Sequence, residues 1–219
     1  MGGFAVVVLA AGGSSRLGRP KQLLPYLGRT LIEHAVRTAL ASGAAEVIVV
    51  LGAEAAAIRE RLQGLRVRLV TNSAWTEGMG SSIRCGVAAV GAEIESVVIA
   101  LGDQPRITPD HLRALGQAAA PVVASSYDGV IGAPCAFGRA LFDRLMSLSG
   151  DEGARSILRS GNYKVETIEF RGANVDVDTP ADYVALVPPT REGEPQDSAN
   201  ESSHSRAPLD SIASDSPPA

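Results

Sequence analysis

The chain has 219 residues, 45% of them apolar, which is enough for one α/β domain with a large core and a tail. Its net charge of −4 and its 4% of aromatic residues provide neither the positive field nor the stacking surface that hold nucleic acids. No apolar run approaches the roughly 18 residues of a membrane-spanning helix. We therefore expect no nucleic-acid partner and no membrane insertion.

Short apolar runs alternate with helical patterns along residues 1–187. Strands are predicted at 4–10, 46–51, 67–70, 96–101, 122–125, 164–168 and 175–177. Helices are predicted at 31–42, 53–62, 81–90, 109–118, 139–146, 152–159 and 180–186. A capping box at Thr30 and Glu33 begins the first helix. This alternation predicts a three-layer α/β fold with a mainly parallel sheet, in which ligands bind at the carboxyl ends of the strands.

Residues 188–219 differ in composition from the rest of the chain. They contain six acidic and two basic residues, so this segment carries the whole net charge, and six prolines and seven serines accompany them. Such a segment cannot bury enough apolar surface to offset its ordering entropy. We predict that the folded domain spans 1–187 and that 188–219 is a disordered acidic tail.

The cysteines and histidines show no metal-ligand spacing. Cys85 and Cys135 are typical of small buried thiols in a reducing compartment. His34, His111 and His204 are scattered. The expected location is the cytoplasm of a prokaryote.

The first strand leads into a glycine-rich turn that carries two cations. Residues 11–21 contain Gly12, Gly13 and Gly18 together with Arg16 and Lys21. Glycines let backbone N–H groups approach phosphate oxygens closely, and the cations add positive charge at the same place. An ordinary strand-to-helix turn would need neither cation, so the segment indicates a loop that binds a nucleoside triphosphate.

Two well-known glycine loops do not match this segment. Gly13 and Gly18 have the spacing of a Walker loop, but Arg19 and Pro20 follow where Lys and Ser or Thr are required. The dinucleotide fingerprint needs Gly-x-Gly and an immediate helix, which Pro20 and Pro25 exclude. Lys21 is one of two lysines among 20 basic residues, which suggests that a compact ammonium is needed there.

Two further strand ends carry acidic residues. Asp103 follows the apolar strand at 96–101, and Asp176 and Asp178 surround the short strand predicted at 175–177. Asp176 fits a turn role as well as a functional one. Because Mg²⁺ in proteins takes one or two carboxylates plus phosphate oxygens and water, Asp103 and Asp178 beside a triphosphate indicate a magnesium site.

Residues 9–25, Leu-Ala-Ala-Gly-Gly-Ser-Ser-Arg-Leu-Gly-Arg-Pro-Lys-Gln-Leu-Leu-Pro, resemble the signature of nucleotidyltransferases related to the molybdenum cofactor enzymes. Residues 102–105, 150–155 and 176–180 resemble the branch of that family that acts on molybdopterin with CTP. Residues 72–75 and 78–83 also match. The resemblance covers about residues 4–187 and implies a Rossmann-like nucleotidyltransferase fold.

The resemblance implies roles for individual residues. Catalytic roles fall on Arg16, Lys21, Asp103 and Asp178, of which Asp103 and Asp178 hold Mg²⁺. Nucleotide binding falls on Leu9, Ala10, Ala11, Gly12, Gly13, Ser14, Arg16, Lys21, Gly78 and Ser82. Acceptor binding falls on Gln104, Pro105, Asp151 and Arg155. The implied reaction is CMP transfer from CTP to molybdopterin with release of pyrophosphate, and the implied recipient of the product is a molybdenum hydroxylase.

Alternatives remain open at this level. Ser81 and Ser82 fit simple helix capping as well as base binding, and Trp75 fits a loop anchor as well as a pocket wall. A related enzyme that uses GTP, or a sugar phosphate or methylerythritol phosphate acceptor, shares the first motif. A non-catalytic carrier of the finished cofactor would not need Lys21, Asp103 and Asp178 together.

Overall fold

The computed structural model describes residues 2–14, 17–170, 177 and 179–186. The strands are β1 (Gly3–Ala10), β2 (Pro25–Tyr26), β3 (Arg29–Thr30), β4 (Glu46–Leu51), β5 (Arg68–Thr71), β6 (Ile94–Leu101), β7 (Val122–Tyr127), β8 (Val130–Gly138) and β9 (Glu166–Glu169). The helices are α1 (Leu31–Ala41), α2 (Ala55–Arg61), α3 (Met79–Ala88), α4 (Pro109–Gln117), α5 (Phe142–Met146), α6 (Arg155–Arg159) and α7 (Pro180–Leu186). Short 3₁₀ turns lie at Lys21–Leu23, Trp75–Glu77 and Arg139–Leu141.

Seven strands form one sheet in the order β5-β4-β1-β6-β8-β7-β9, while β2 and β3 form a separate small hairpin. Strands β5, β4, β1 and β6 run parallel, and β9 runs parallel to β7. Strand β8 is antiparallel to both β6 and β7. The sheet is therefore mainly parallel, and the predicted α/β fold is confirmed.

The alternation of side chains along β1 creates the two outer layers. Val6 and Val8 pack into a core with Ile32, Val36 and Leu112 of α1 and α4. Val7 packs into a second core with Ile83 and Val87 of α3 and with Leu145 of α5. Because both faces of the sheet are covered, the inner strands are buried and consist almost entirely of apolar residues.

Predicted helix starts are confirmed by their caps. The hydroxyl of Thr30 accepts the N–H of Glu33, and the carboxylate of Glu33 accepts the N–H of Thr30. Thr108 caps α4 through the N–H of His111, with Pro109 in the first helical position. These caps stabilise α1 and α4 and fix where each of these helices begins.

Three predicted helices are shorter than expected. The helix predicted at 53–62 spans only Ala55–Arg61, the one predicted at 152–159 begins only at Arg155, and the one predicted at 139–146 is divided into a 3₁₀ turn and α5. The strand predicted at 175–177 and the tail predicted at 188–219 lie almost wholly outside the described residues, apart from Val177.

The sequence interpretation missed β8. Asp128 and Gly129 join β7 to β8 as a two-residue turn with φ values of +50° and +84°. An Asp-Gly pair between two apolar runs is the usual hairpin signal, but Gly132 and Pro134 interrupt the second run. Because of Gly132 and Pro134, the sequence did not predict β8, although this strand pairs with β6 along one edge and with β7 along the other.

A small apolar cluster lies behind the glycine-rich turn. Its buried members are Leu17, Leu24, Leu31, Val177 and Leu186, and we call it the loop cluster. Tyr183 of α7 packs against the cluster, and its hydroxyl donates to the carbonyl of Pro25 at 2.7 Å. The segment that follows β1 is thus packed against the last described residues of the chain.

No helix among the described residues combines the length and the apolar character needed to cross a membrane.

Candidate active site

The site is organised around one ion pair at the carboxyl ends of β1 and β6. The Nζ of Lys21 lies 2.5 Å from the Oδ2 of Asp103. Parallel pairing of Leu9 with Leu101 places the two strand ends side by side, and the N–H of Gly102 donates to the carbonyl of Leu9 at 3.1 Å. The predicted meeting of these two segments is therefore observed.

The ion pair borders a cavity of about 650 Å³, a volume typical of small-molecule sites. Asp103 is only 6% exposed, whereas one fifth of the Lys21 side chain is exposed. A carboxylate and an ammonium at the wall of such a cavity supply strong charges where bulk water is limited, so their effect on a bound anion or cation exceeds that of surface charges.

Residues from five segments line the cavity. They are Leu9, Ala11, Gly12, Gly13, Lys21 and Gln22; Trp75, Thr76, Gly78, Met79 and Ser82; Ile99, Leu101 and Asp103; Ala133 and Cys135; and Asp151, Gly153, Ala154 and Arg155. The cavity is largely apolar, with a small number of polar groups that converge on it, as small-molecule sites usually are.

The glycine-rich turn keeps its backbone open to this cavity. A Cβ added to Gly12 would meet nothing within 4 Å, and one added to Gly13 would meet the indole ring of Trp75 at 3.2 Å. Within the described part of the chain, the N–H groups of Gly12 and Gly13 donate no hydrogen bond. Two adjacent N–H groups without acceptors beside a lysine are suited to bind an anion.

A buried asparagine organises the wall formed by the Trp75 turn and α3. The side-chain nitrogen of Asn72 donates to the hydroxyls of Ser81 and Ser82, and its oxygen accepts the N–H of Ala74. Because the Ser82 hydroxyl accepts from Asn72 and lines the cavity, it has a proton to donate to a ligand there. The single proton of the Ser81 hydroxyl is instead taken up by the carbonyls of Ala74 and Gly78, which both lie within hydrogen-bond distance, so Ser81 has a structural role.

The segment before α6 packs directly against the start of α3 and forms the adjoining wall, where the N–H of Gly80 donates to the carbonyl of Gly150 at 3.0 Å. Gly78 has φ +104°, and a side chain there would overlap the carbonyl of Gly150 and the carboxylate of Asp151. Arg155 lies against Gly132, where a Cβ would come within 3.2 Å of the guanidinium. Gly78 is therefore required by the close approach of this wall, whereas the flexible end of Arg155 could yield to a methyl group at Gly132; Asp151 and Arg155 both line the cavity.

Cys135 lines the cavity from β8 but does not offer a nucleophile. Burial raises the pKa of the Cys135 thiol to about 12, against a smaller opposing effect of the Arg155 guanidinium. The thiol is thus protonated at neutral pH.

Some residues that the sequence assigned to ligand binding lie behind the cavity wall. Of the assigned residues that the structure describes, Ala10, Ser14, Gln104 and Pro105 do not line the cavity. The amide nitrogen of Gln104 donates to the carbonyl of Ala133, and the carbonyl of Pro105 faces the Nε2 of His34 at 2.9 Å. Arg16, Asp176 and Asp178 lie outside the described residues.

Several cavity residues were not assigned from the sequence. Gln22 and Met79 stand within quoted motifs, yet nothing in their residue type marked them as site residues. Ile99 and Cys135 belong to strands, and Cys135 could not be placed because β8 was missed. The Asp128-Gly129 turn was the signal that could have found it.

The donor set fits a metal ion that arrives with a nucleotide. Among the described residues, no group of three His, Cys, Asp or Glu side chains could hold a metal ion by itself. Of the two carboxylates that the sequence assigned to Mg²⁺, Asp103 lines the cavity, and Asp178 lies outside the described residues. Since Mg²⁺ bound with a triphosphate takes one or two protein carboxylates and completes its shell with phosphate and water, Asp103 fits such an ion.

A family model described as the MobA-like NTP transferase domain matches residues 6–167. The chain belongs to this family. Membership confirms the resemblance and the fold expected from residues 9–25, and it implies a nucleoside triphosphate as substrate.

Relatives of this MobA-like domain carry different names. The nicotine blue oxidoreductase of Paenarthrobacter nicotinovorans is 38% identical over 186 residues, which cover 79% of this chain and 91% of that protein. The molybdenum cofactor cytidylyltransferase of Escherichia coli is 24% identical over 186 residues, which cover 84% and 95%. Rv0371c from Mycobacterium tuberculosis superimposes with a TM-score of 0.77 at 34% identity, covering 84% and 97%, and its complex with manganese gives 0.75.

Proposed function

We propose that this chain transfers CMP from CTP to a phosphorylated, molybdopterin-type acceptor and releases pyrophosphate. The observation that carries the proposal is the Lys21–Asp103 pair at the wall of a cavity of about 650 Å³, beside a glycine-rich turn whose Gly12 and Gly13 N–H groups have no acceptor among the described residues. Support for the acceptor comes from the Escherichia coli relative and from the motifs at 102–105 and 150–155.

The reaction is an in-line substitution at the α-phosphorus of CTP. A terminal phosphate oxygen of the acceptor forms the new bond to that phosphorus, and the bond to the bridging oxygen breaks, so that pyrophosphate leaves with the electron pair. The attacking phosphate is already anionic, so the enzyme needs no serine, cysteine or histidine base. A protonated Cys135 agrees with this requirement.

The protein's own contribution is alignment and charge. The N–H groups of Gly12 and Gly13 bind triphosphate oxygens, and Lys21 with Arg16 stabilises the negative charge that develops on the departing pyrophosphate. Preorganised charges in a partly dry cavity act without first having to reorient, which is why they stabilise a transition state better than water does.

Asp103 and Asp178 would hold Mg²⁺. The N–H of Val177 lies 3.3 Å from the carbonyl of Asp103, which supports a second carboxylate from the residue after Val177. The manganese complex of Rv0371c supports a divalent ion in a relative of this chain. When bound, such an ion neutralises phosphate charge and orients the two reacting groups.

The residues that line the cavity fall into one group for the nucleotide and one for the acceptor. The backbone of residues 9–13 and the hydroxyl of Ser82 face the nucleotide, where the spare proton of Ser82 suits an acceptor atom on the base. Asp151 and Arg155 face the acceptor, where Arg155 can bind a phosphate in two-point fashion. The base assignment to cytosine rests on Leu9-Ala-Ala-Gly12, which matches the CTP-using branch.

The test is a pyrophosphate-release assay with CTP, GTP, ATP and UTP, with Mg²⁺, in the presence and absence of molybdopterin. We expect release with CTP that requires molybdopterin. Release with GTP, or with a sugar phosphate or methylerythritol phosphate in place of molybdopterin, would overturn the substrate assignment but keep the reaction type. No release with any pair, together with tight binding of finished cofactor, would indicate a carrier.

The relative named an oxidoreductase adds one arm to this test. NADPH oxidation with an electron-accepting dye is measured beside pyrophosphate release, with Lys21→Ala as the variant and Lys164→Ala as the control. Dye reduction that survives Lys21→Ala, without pyrophosphate release, would replace nucleotidyl transfer by a redox activity.

A further inference from the structure

A buried glutamine ties the glycine-rich turn to Lys21. Gln22 is only 3% exposed, although it is an amide next to a charged site. Its Nε2 donates to the carbonyl of Gly12 at 2.8 Å and to that of Ala10 at 3.4 Å. Its Oε1 accepts the hydroxyl of Ser14 at 3.3 Å.

Ser14 links the side chain of Gln22 to the backbone of Lys21. Its hydroxyl accepts the backbone N–H of Lys21 at 3.0 Å while it donates to Gln22. Ser14 has φ +53°, a left-handed conformation that costs a non-glycine residue free energy and persists only where its surroundings impose it. Its side chain is thus committed inside the turn, not toward the cavity.

The direction of the Gly12 carbonyl fixes the direction of the next N–H. In a trans peptide the C=O and the following N–H point in opposite directions. Since the Gly12 carbonyl points at Gln22, the N–H of Gly13 points away from it. That N–H donates no hydrogen bond within the described residues.

We propose that Ser14 and Gln22 form a clamp that holds the Gly12–Gly13 peptide and the backbone of Lys21 in the orientation needed to bind triphosphate oxygens. Both are positioning residues: they act through Gly12, Gly13 and Lys21. This inference rests on the proposed function, because it requires a triphosphate in the cavity.

The clamp also explains why a glutamine is buried at position 22 and why it directly follows Lys21. A buried amide needs partners for its donor and acceptor groups, and the described partners of Gln22 all belong to residues 10–14. Lys21 and Gln22 are adjacent in the chain, so any shift of the turn moves the ammonium as well. Loss of the clamp should therefore weaken anion binding more than it weakens the fold.

The experiment uses inorganic tripolyphosphate as the probe and the full chain as the protein. Gln22→Met keeps the length of the side chain but removes its hydrogen bonds, Ser14→Ala removes the hydroxyl, and Gln63→Met is a control at an exposed position. Binding is measured by calorimetry, thermal unfolding is followed in parallel, and the amide resonances of Gly12 and Gly13 are monitored by NMR.

We expect wild type and Gln63→Met to bind tripolyphosphate and to shift both amide resonances. Gln22→Met and Ser14→Ala should bind about tenfold to a hundredfold more weakly, with smaller amide shifts. Equal affinity and equal shifts in a folded Gln22→Met or Ser14→Ala variant overturn the clamp and leave the proposed function intact. A wild-type protein that binds neither tripolyphosphate nor CTP overturns the proposed function and the clamp with it.

Discussion

The ammonium of Lys21 and the carboxylate of Asp103 are 2.5 Å apart although 82 positions separate them in the chain. Strands β1 and β6 are neighbours in the sheet, and the residues that follow them meet at one edge. Because Asp103 is buried, the ammonium of Lys21 offsets part of the cost of removing its carboxylate from water.

Loss of either member of this pair should abolish most of the activity. We expect Lys21→Ala and Asp103→Asn each to lower kcat for pyrophosphate release by at least ~10²–10³, the scale for removal of one preorganised charge contact. The double variant should lose little more than the worse single variant, because the two side chains act as a unit.

Lys164→Ala is the matched control, since Lys164 is exposed and is the other lysine of the chain. Its kinetics should equal those of the wild type. Single variants whose losses multiply in the double variant would show that the two residues act independently.

The two glycines of the turn should respond differently to a methyl group. Gly12→Ala adds a Cβ that meets nothing within 4 Å, so the free energy of unfolding should stay within about 0.5 kcal/mol while the KM for CTP rises. Gly13→Ala places its Cβ 3.2 Å from Trp75 and should destabilise the protein.

The contact with Trp75 is tested by a double-mutant cycle. In a Trp75→Leu background the cost of Gly13→Ala should shrink by about 0.5–3 kcal/mol, as measured by urea unfolding. Additive free energies would mean that Trp75 does not limit the space at Gly13.

Asn72 should matter more for stability than its single side chain suggests. Asn72→Leu leaves the N–H of Ala74 without its acceptor and the hydroxyls of Ser81 and Ser82 without their donor. We expect a loss of about 1–3 kcal/mol in the free energy of unfolding. Asn72→Asp keeps the acceptor for Ala74 and should lose less, and Asn162→Leu at an exposed position should lose almost nothing.

His111 should make stability fall on mild acidification. Its Nε2 lies 2.7 Å from the hydroxyl of Ser125, which donates its own proton to the carbonyl of Pro134, so the Nε2 of His111 is the donor. Burial lowers the pKa of His111 below its ordinary 6.5. The unfolded chain then binds the proton first, and the free energy of unfolding decreases as the pH falls below about 6.5.

His111→Gln retains a donor for Ser125 but does not titrate. Chemical unfolding between about pH 5.5 and 7.5 should therefore give a smaller slope for this variant than for the wild type. Some slope should remain, because burial also lowers the pKa of His34. If the free energy of unfolding depends on pH equally in the variant and in the wild type, then His111 has the same pKa in the folded and in the unfolded chain.

Periodicity alone predicted most of the parallel half of the sheet. β1, β4 and β6 are apolar runs whose ends are marked by glycine, and the caps at Thr30 and Thr108 fixed the helices that follow. Local chemistry determines such features, so a single sequence shows them. β8 was missed because its pairing with β6 and β7 overrides the breaks at Gly132 and Pro134.

The sequence predicted the charged residues of the site, but it did not predict the directions in which its uncharged polar side chains point. Lys21 and Asp103 were identified by charge and by their position after strands, and they meet as expected. Ser14 was assigned to the nucleotide by its type, but its hydroxyl is directed into the turn by Gln22. A local sequence pattern does not predict the direction of a hydroxyl or of a buried amide, because this direction depends on the tertiary contacts of the turn.

The loop cluster has a consequence for where this domain can be cut. The family match ends at residue 167, yet Val177 and Leu186, beyond it, cover Leu17, Leu24 and Leu31 beneath the turn. A chain shortened to the matched stretch would expose these leucines to water and would leave the carbonyl of Asp103 without the N–H of Val177. The recognisable family segment is therefore smaller than the unit that can fold and act.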